Sequence, residues 1–346
     1  MTFKKYFIKV FGCQMNVADG QRVTGWYEQR GWKRTDKRED ADEAVIVTCS
    51  VRQTAEDRVY GQVNNLAKLK IINCKLKIVV TGCMLRYPLR FLKEKMPQVD
   101  EFKKISDYPL NSKFKNLALR NSFGIRDSSP HVLVPIMEGC NNFCSYCVVP
   151  YARGREISRP FEEIVCEVEE LVKRGYKEIL LLGQNVNSYK PSFALLLVRL
   201  HDVDGIEKIS FLTSNPWDLD DEIIEVMALP KIDRYLHLPV QSGDDEILKK
   251  MNRKYMVKQY VELVEKIRKR IPDIKIGTDI IVGFPGETEE QFQNTVDLCK
   301  KVGFVKAYVS KYSPRLQTAA YKLKDDVSQK EKRRRWKVLD DSINKS

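Results

Sequence analysis

The sequence predicts an α/β fold built in two successive parts, each with parallel strands covered by helices. Along nearly the whole chain, short β-branched runs alternate with longer amphipathic stretches. This alternation is typical of parallel sheets, because each parallel connection needs a long crossover. The 346 residues suffice for two or three domains with cores of their own. Across residues 106–130 the periodicity fades and Ser, Asn, Asp and Pro accumulate, which predicts a linker.

Residues 1–105 contain three predicted strand–helix pairs. The strands are predicted at residues 6–11, 44–47 and 76–80, and the helices from residue 19, at 55–69 and at 89–95. This order predicts a parallel sheet with helices on its faces.

Residues 131–318 continue the alternation with six strand candidates. These are VLVPIM, EILLL, KISFL, YLHLPV, IKIGTDIIVGF and VKAYVS, with amphipathic stretches between them. Such a run predicts either an open doubly wound sheet or a part-closed (β/α) barrel. In both architectures ligands gather at the carboxyl ends of the strands. Thr288-Glu-Glu-Gln291 predicts a capping box at the start of a helix.

The chain is basic, with 60 Lys and Arg against 47 Asp and Glu and a formal net charge of +13. This surplus favours a polyanionic partner such as nucleic acid, although solvated basic faces are common. The segment 319–346 is a basic C-terminal extension containing KEKRRRWKV, which indicates either a solvated helix or an RNA contact.

Nothing in the sequence resembles a membrane span of about 20 apolar residues or a signal peptide. We therefore expect a cytoplasmic protein without a membrane partner. Because disulfides are rare in reducing compartments, the nine cysteines are better interpreted as metal ligands or catalytic groups where they cluster.

The strongest signal is the C-x3-C-x2-C triplet of Cys140, Cys144 and Cys147, directly after the strand VLVPIM and Gly139. Three thiolates on one loop can bind three irons of a 4Fe–4S cluster and leave the fourth iron open. The alternative is a zinc loop. Structural zinc normally has four protein ligands, and His131, the nearest histidine, lies at the opposite end of the strand.

Three further cysteines occupy equivalent positions. Cys13, Cys49 and Cys83 each follow the carboxyl end of a predicted strand in the N-terminal part. Neighbouring parallel strands end about 5–10 Å apart, so the three thiols should converge on one crevice. The alternative is three unrelated buried cysteines.

The remaining cysteines have simpler interpretations. Cys166 and Cys299 lie within amphipathic helices and are predicted to be core residues, and Cys74 precedes its strand, at the end away from the crevice.

Several long motifs resemble the radical S-adenosylmethionine methylthiotransferases over residues 4–335. They are FGCQMN (11–16), TCSVR (48–52), EGCN (138–141), VPYARGRE (149–156), LGQNVNSY (182–189), LHLPVQSG (236–243) and DIIVGFPGET (279–288). Within that family, TCSVR and LLGQNVNSY are most similar to the tRNA-2-methylthio-N(6)-dimethylallyladenosine synthases.

The resemblance implies an N-terminal open parallel α/β sheet domain followed by a partial (β/α)6 radical-SAM barrel. It implies one 4Fe–4S cluster on Cys140, Cys144 and Cys147, which binds S-adenosylmethionine, and a second on Cys13, Cys49 and Cys83, which carries the sulfur. The reaction implied is 2-methylthiolation of N(6)-isopentenyladenosine at position 37, beside the tRNA anticodon. Carbon 2 is unactivated, so the chemistry needs a cofactor-borne radical.

The family also implies cofactor and substrate contacts. The predicted contacts to S-adenosylmethionine come from Tyr146, Gln184, Asn185, Gln241, Ser242 and Gly283. Tyr146 could equally pack the loop, and Gln184, Asn185 and Asn187 could contact either cofactor or substrate. Arg153, Arg155 and Arg159 could contact RNA phosphates or pair with acidic neighbours.

The partners implied are the tRNA anticodon stem-loop, S-adenosylmethionine and an electron donor such as flavodoxin or ferredoxin. The protein itself is expected to be a monomer. Family members usually continue into a TRAM domain thought to hold tRNA, which is absent before Ser346. RNA affinity would then come from the basic tail and surface or from a partner, unless the chain is shortened. Two alternatives remain: a radical methylthiotransferase acting on a ribosomal protein or on threonylcarbamoyl-tRNA, and a non-catalytic iron–sulfur or zinc RNA-binding protein.

Overall fold

The computed structural model describes residues 3–109 and 131–345. Its contacts divide the chain into two compact units. The first contains residues 1–135 together with Tyr151–Gly154, and the second contains residues 136–150 and 155–346. The division therefore differs from the expected boundaries: residues 131–135 and 151–154 join the first unit, and the basic C-terminal segment belongs to the second. Most of the predicted linker, residues 110–130, lies outside the described residues.

The first unit contains a five-stranded parallel sheet. In sheet order the strands are β2 (Lys33–Arg34), β1 (Lys5–Val10), β3 (Glu43–Thr48), β4 (Lys77–Gly82) and β5 (Glu101–Phe102). Between residues 3 and 109 the helices are α1 (Gln14–Glu28), α2 (Gln53–Lys70) and α3 (Leu89–Lys95). The open parallel sheet predicted from the sequence is confirmed. The prediction missed the two-residue edge strands β2 and β5 and started α1 five residues late.

Alternation along the central strands builds two cores on opposite faces of the sheet. Val45 and Val47 pack on one face with Tyr6 and Tyr27, whose rings stack 4.6 Å apart. Ile46 packs on the other face, with side chains of α2. Each of these fully buried aliphatic side chains stabilises the fold by about 1.5–3 kcal/mol relative to exposure. With both faces covered, only the ends of the strands are open to ligands.

The second unit contains the remaining parallel strands. Strand β9 (Glu178–Leu182) pairs with β10 (Lys208–Phe211), and β12 (Lys275–Val282) pairs with β11 (Tyr235–His237) and β13 (Lys306–Lys311). A bridge between Ile209 and Ile232 continues the strand order between the two groups. Strand β6 (His131–Pro135) directly precedes this unit and supplies the sixth predicted strand. The partial barrel expected from the resemblance is confirmed.

Seven helices and a hairpin complete the described part of the second unit. The helices are α5 (Phe161–Lys173), α6 (Phe193–His201), α7 (Asp221–Met227), α8 (Asp245–Lys250), α9 (Val257–Arg270), α10 (Glu289–Val302) and α11 (Gln329–Asn344). The hairpin pairs β7 (Met137–Glu138) with β8 (Ile157–Ser158), and the short helix α4 (Val149–Arg153) lies between them in sequence. Thr288 and Gln291 form the predicted capping box at the start of α10.

Helix α11 is an integral part of the second unit rather than a solvated extension. Trp336 Nε1 donates to the Val309 carbonyl at 3.0 Å, and Asn344 bonds both backbone groups of Ala307. These side chains satisfy the outer edge of β13, which would otherwise expose unpaired backbone groups. Lys332 and Arg335, two of the basic residues of this segment, are buried.

Two cysteine predictions can be compared directly with the structure. Cys299 is buried on α10 as predicted, whereas Cys166 is exposed, so its assignment to the core is wrong. Cys166 lies on the outer face of α5, where Ile164, Val165 and Val168 supply the buried side chains. None of the helices among the described residues is both long and apolar enough to cross a bilayer.

Candidate metal centres

The first candidate centre lies where three neighbouring strands of the first unit end. Val10 of β1 pairs with Val47 of β3, and Thr48 pairs with Gly82 of β4, so the strands finish at a common edge. Cys13 is the N-cap of α1, Cys49 follows β3, and Cys83 begins the turn after β4. The structure therefore places these three cysteines at equivalent positions on adjacent strands.

The amide of Asn16 links this edge to two of the thiols. Its Nδ2 donates to the carbonyls of Phe11 at 2.6 Å and Thr48 at 2.9 Å, which fixes the ends of β1 and β3. Its Oδ1 lies 3.8 Å from the Sγ atoms of both Cys13 and Cys83. Two of the three sulfurs are therefore neighbours of a single, fully buried oxygen.

Two glycines allow this close approach. Gly12 has φ of +123°, and a Cβ there would lie 2.8 Å from Cys49 Cβ. Gly82 has φ of +91°, and a Cβ there would lie 2.7 Å from the Thr48 carbonyl oxygen. Larger residues would face both a disfavoured backbone conformation and a clash. The loops of Cys13 and Cys83 can therefore approach β3 only because glycine precedes each cysteine.

The electrostatics of this centre come from an ion pair as well as from the thiols. Arg153 Nη2 lies 2.9 Å from Asn16 Oδ1 and 2.5 Å from Asp19 Oδ2, and the two charged side chains are 6% and 7% exposed. Burial raises the pKa of Cys83 to about 12, while the positive charge of Arg153 opposes that rise. Burial also raises the pKa of Cys49. Without a metal these thiols are protonated at neutral pH, so binding iron would release protons.

A second network joins the Cys49 and Cys83 loops behind the thiols. Arg86 Nε donates to Ser50 Oγ at 2.7 Å, and Ser50 Oγ donates to the carboxylate of Glu56. The side chains of Arg86 and Glu56 are 0% and 3% exposed. Because Ser50 follows Cys49 and Arg86 lies three residues after Cys83, this network holds the two cysteine loops against each other.

The second candidate centre is the loop between β7 and α4, which carries Cys140, Cys144 and Cys147. Its backbone is held by the segment that follows α8: Ser145 N donates to the Met251 carbonyl at 3.0 Å, and Asn252 Nδ2 donates to the Phe143 carbonyl at 3.1 Å. Ser145 Oγ donates to the Lys250 carbonyl at 2.7 Å. Burial raises the pKa of Cys140 to about 11 and that of Cys147 to about 12.

Arg253 lies beside this loop and was not predicted from the sequence. Its Nη1 is 3.6 Å from Cys144 Sγ, its Nη2 donates to the Pro239 carbonyl at 2.8 Å, and its guanidinium lies 4.6 Å from the centre of the Trp217 ring. The residue is buried. A fixed cation therefore faces one of the three sulfurs.

The residues predicted to contact S-adenosylmethionine mostly hold loop backbone in the structure. Gln184 Oε1 accepts from Gly139 N at 2.6 Å, which ties the cysteine loop to the end of β9. Asn185 Nδ2 donates to Asp218 at 2.7 Å, and Asn187 Nδ2 donates to the Asn215 carbonyl at 2.8 Å. Tyr146 packs against the core cluster that contains Met251 and Phe284.

The other three of these residues lie near the carboxyl end of β12. Gln241 has φ of +70° and bridges to Ile280 of that strand. Ser242 is buried, with Oγ 3.4 Å from Thr295 Oγ1. Gly283 has φ of +68° and donates its N–H to Glu287 at 2.6 Å. The structure brings these positions to the strand ends, where barrels bind ligands.

The three arginines predicted to contact RNA differ in their surroundings. Arg153 makes the buried ion pair described above. Arg159 pairs with Glu167 at 2.7 Å and Glu163 at 3.8 Å, and Arg155 lies over the Phe143 ring at 4.5 Å. Arg153 and Arg159 therefore pair with acidic neighbours, which was the alternative to RNA contact for this group.

Comparison with known proteins shows to which family this chain belongs. The Radical SAM superfamily matches residues 134–299, and the uncharacterized protein family UPF0004 matches residues 5–103. Curated tRNA-2-methylthio-N(6)-dimethylallyladenosine synthases from Thermoanaerobacter sp. (strain X514) and Dehalococcoides mccartyi are each 46% identical to this chain. The alignments cover 98% and 97% of this chain and 78% and 81% of those proteins. The chain belongs to this synthase family.

Solved structures confirm the fold class of this family member. A radical S-adenosylmethionine methyltransferase, TsrM from Kitasatospora setae, aligns with a TM-score of 0.61 at 15% identity over 89% of this chain and 73% of that one. The cobalamin-dependent S-adenosylmethionine radical enzyme OxsB aligns with a TM-score of 0.60 at 12% identity over 99% and 56% of the two chains.

Proposed function

We propose that this synthase-family member is a radical methylthiotransferase that adds a methylthio group to carbon 2 of N(6)-isopentenyladenosine at position 37 of tRNA. The observation that carries the proposal is the presence of two separate three-cysteine sites in one chain. Family membership supports a radical S-adenosylmethionine transferase, and the second site distinguishes sulfur transfer from ordinary one-cluster chemistry. A tRNA substrate would place the reaction in the cytoplasm.

The chemistry of the donors favours iron–sulfur clusters over single metal ions at both sites. Structural zinc normally takes four protein ligands, whereas each site offers three thiols. Cysteines that bind a 4Fe–4S cluster each take a different iron, so they stand farther apart than the ligands of one zinc. Three thiols at each site therefore fit a cluster with one open iron.

Bound clusters would supply the electron that cleaves S-adenosylmethionine at Cys140, Cys144 and Cys147, and the sulfur for transfer at Cys13, Cys49 and Cys83. The chain's own residues shape both sites. Gln184 holds the backbone of Gly139 immediately before Cys140, and Arg253 places a positive charge at Cys144. Asn16 orders the strand ends around Cys13 and Cys83.

S-adenosylmethionine would bind at the strand ends of the second unit. Tyr146, Gln184, Asn185, Gln241, Ser242 and Gly283 are the residues we assign to its surroundings. Gln241 and Gly283 both have positive φ and lie near the carboxyl end of β12, the end of a barrel strand at which ligands bind.

The substrate assignment rests on chemistry and charge. Carbon 2 of adenine carries no acidic proton, so hydrogen abstraction by a 5′-deoxyadenosyl radical is needed before the carbon–sulfur bond forms. The net charge of +13 favours RNA, and the target base must leave its stack to react. Arg155 and Arg159 remain the candidate contacts to phosphate, whereas the guanidinium of Arg153 is held in its buried ion pair with Asp19.

We also propose that the protein acts as a monomer and receives electrons from a one-electron carrier such as flavodoxin or ferredoxin. A reduced carrier should support S-adenosylmethionine cleavage in place of a chemical reductant. Sedimentation of the reconstituted protein at micromolar concentration tests the oligomeric state.

Counting iron and sulfide after anaerobic reconstitution tests the two-cluster proposal. We expect about eight irons in the wild type and about four in a Cys13/Cys49/Cys83→Ala variant. Cys166→Ala is the matched control, because this exposed cysteine lies on α5, outside both sites, and should leave eight irons. About four irons in wild type and triple variant alike would contradict the second cluster.

Nucleoside mass spectrometry then tests the substrate. Cells lacking the gene should lose the 2-methylthio modification and retain N(6)-isopentenyladenosine, and the wild-type gene should restore it. An unchanged nucleoside profile would favour a ribosomal protein as substrate. A protein that yields no 5′-deoxyadenosine under reducing conditions would instead be a non-catalytic RNA-binding metalloprotein.

A further inference from the structure

The short segment Tyr151–Gly154 is packed with the first unit, although it begins only four residues after Cys147. Its buried member is Arg153, whose side chain is 6% exposed and bonded to Asn16 and Asp19. Burying a guanidinium costs desolvation energy that an ion pair alone often does not recover. The placement of this arginine therefore needs an explanation beyond stability.

Asn16 connects this ion pair to the strand-end thiols. The same Oδ1 atom that accepts from Arg153 Nη2 at 2.9 Å lies 3.8 Å from the sulfurs of Cys13 and Cys83. Only one atom therefore separates the guanidinium from each of two sulfurs. Asp19, one helical turn after Asn16 on α1, places a negative charge 2.5 Å from the same Nη2 atom of Arg153.

Charges at this depth act strongly on a redox centre. Electrostatic interactions strengthen as the local dielectric falls, and all three side chains of this group are buried. One-electron reduction adds one negative charge to an iron–sulfur cluster. A nearby cation favours the reduced form, and a nearby anion favours the oxidised form.

We propose that Arg153 and Asp19 are positioning residues that set the reduction potential of the cluster bound by Cys13, Cys49 and Cys83, with Asn16 fixing their distance from it. The inference rests on the proposed second cluster. It assigns Arg153 a role distinct from contact with RNA. The electron comes from the reductant used in the measurement, and no bond forms or breaks in the protein.

The two members of the pair should have opposite effects, which separates this role from a structural one. Arg153→Gln removes the cation and leaves Asp19, so the potential should become more negative. Asp19→Asn leaves Arg153 uncompensated, so the potential should become more positive. The double variant should return toward wild type. A loss of packing would move both single variants in the same direction.

The test is an anaerobic redox titration of the full chain carrying Cys140/Cys144/Cys147→Ala. Electron paramagnetic resonance measures the reduced cluster at each potential. This parent should hold about four irons, all at the strand-end site. We expect each single variant to change the reduction equilibrium about tenfold, which corresponds to about 59 mV for one electron. Arg30→Gln is the matched control, because Arg30 lies beyond Glu28, the last residue of α1, which is itself about 18 Å along the helix axis from Asn16 at 1.5 Å per residue.

Each outcome has a distinct meaning. Opposite shifts in the two single variants, with Arg30→Gln unchanged, support the proposal. If both single variants hold a normal iron content but their reduction potentials stay unchanged or shift in the same direction, the proposal is overturned. The two-cluster function is then left intact. No iron in the parent overturns the second cluster itself. If Arg153→Gln loses iron, Arg153→Lys takes its place, because it keeps the positive charge. A reduction equilibrium of Arg153→Lys within a few-fold of wild type, together with a positive shift in Asp19→Asn, then supports the proposal. Absence of the Asp19→Asn shift overturns it.

Discussion

Arg335 donates a 2.7 Å hydrogen bond to Glu287, and both side chains are buried although they are far apart in sequence. Glu287 also accepts the N–H of Gly283 at 2.6 Å. Burial raises the pKa of this carboxyl group, and the hydrogen bond from Arg335 opposes the rise. Helix α11 therefore supports, through one carboxylate, the loop that follows β12.

Removing this arginine should destabilise the second unit strongly. Arg335→Met leaves the Glu287 carboxyl group buried without its main cation, which typically costs about 3–5 kcal/mol. Urea unfolding of the metal-free chain under reducing conditions measures the loss. Arg333→Met, two residues away on the exposed face of α11, should change the unfolding free energy by less than about 0.5 kcal/mol. Equal effects of the two substitutions would contradict the role assigned to Arg335.

Acid should weaken the same helix through Glu331. Hydrogen bonds from Arg334 and Arg335 lower the pKa of Glu331 to about 2. Since the folded-state pKa lies below the ordinary value of about 4.3, the stabilisation is complete above that value and is lost as pH falls toward 2. The difference in unfolding free energy between wild type and Glu331→Gln should therefore be largest near pH 7 and shrink below about pH 4.5. A constant difference from pH 7 to pH 3 would exclude this linkage.

The two cysteine sites should fail differently. Cys144→Ala should abolish formation of 5′-deoxyadenosine, because it removes a ligand of the site that binds S-adenosylmethionine. Cys49→Ala should retain that cleavage and lose methylthio transfer to tRNA. Product analysis by liquid chromatography and nucleoside mass spectrometry measures both activities in one reaction. Equal loss of cleavage in the two variants would refute the division of labour.

The network behind the strand-end thiols should be needed for folding of the first unit. Arg86→Met leaves the Glu56 carboxylate buried beside Ser50, so we expect a loss of about 3–5 kcal/mol in unfolding free energy. Arg90→Met removes an exposed charge nearby in sequence and should be close to neutral. A near-neutral Arg86→Met would show that this network does not hold the two cysteine loops.

Much of the fold could be predicted because its signals are local. Short continuous runs of buried, mostly β-branched residues in β3 and β4, and the amphipathic pattern of α2, determine element type over a few residues. The two-residue strands β2 and β5 carry no such pattern, because pairing with a neighbour alone defines them. The early start of α1 was missed because Cys13 caps it with backbone geometry and makes no side-chain cap bond.

The sequence by itself determined which cysteines follow strand ends, because each strand and the turn after it are recognised from contiguous residues. Only the tertiary structure decided what surrounds them. Asn16 lies beside the thiol of Cys83 and Arg253 beside that of Cys144, while Arg153 bonds to Asn16. These partners are far apart in the chain, and no spacing rule encodes such contacts. The basic segment around Arg335 shows the same limit. The positive charge of this segment predicts contact with solvent or RNA, but Arg335 is buried against Glu287, a carboxylate that folding brings from the loop between β12 and α10.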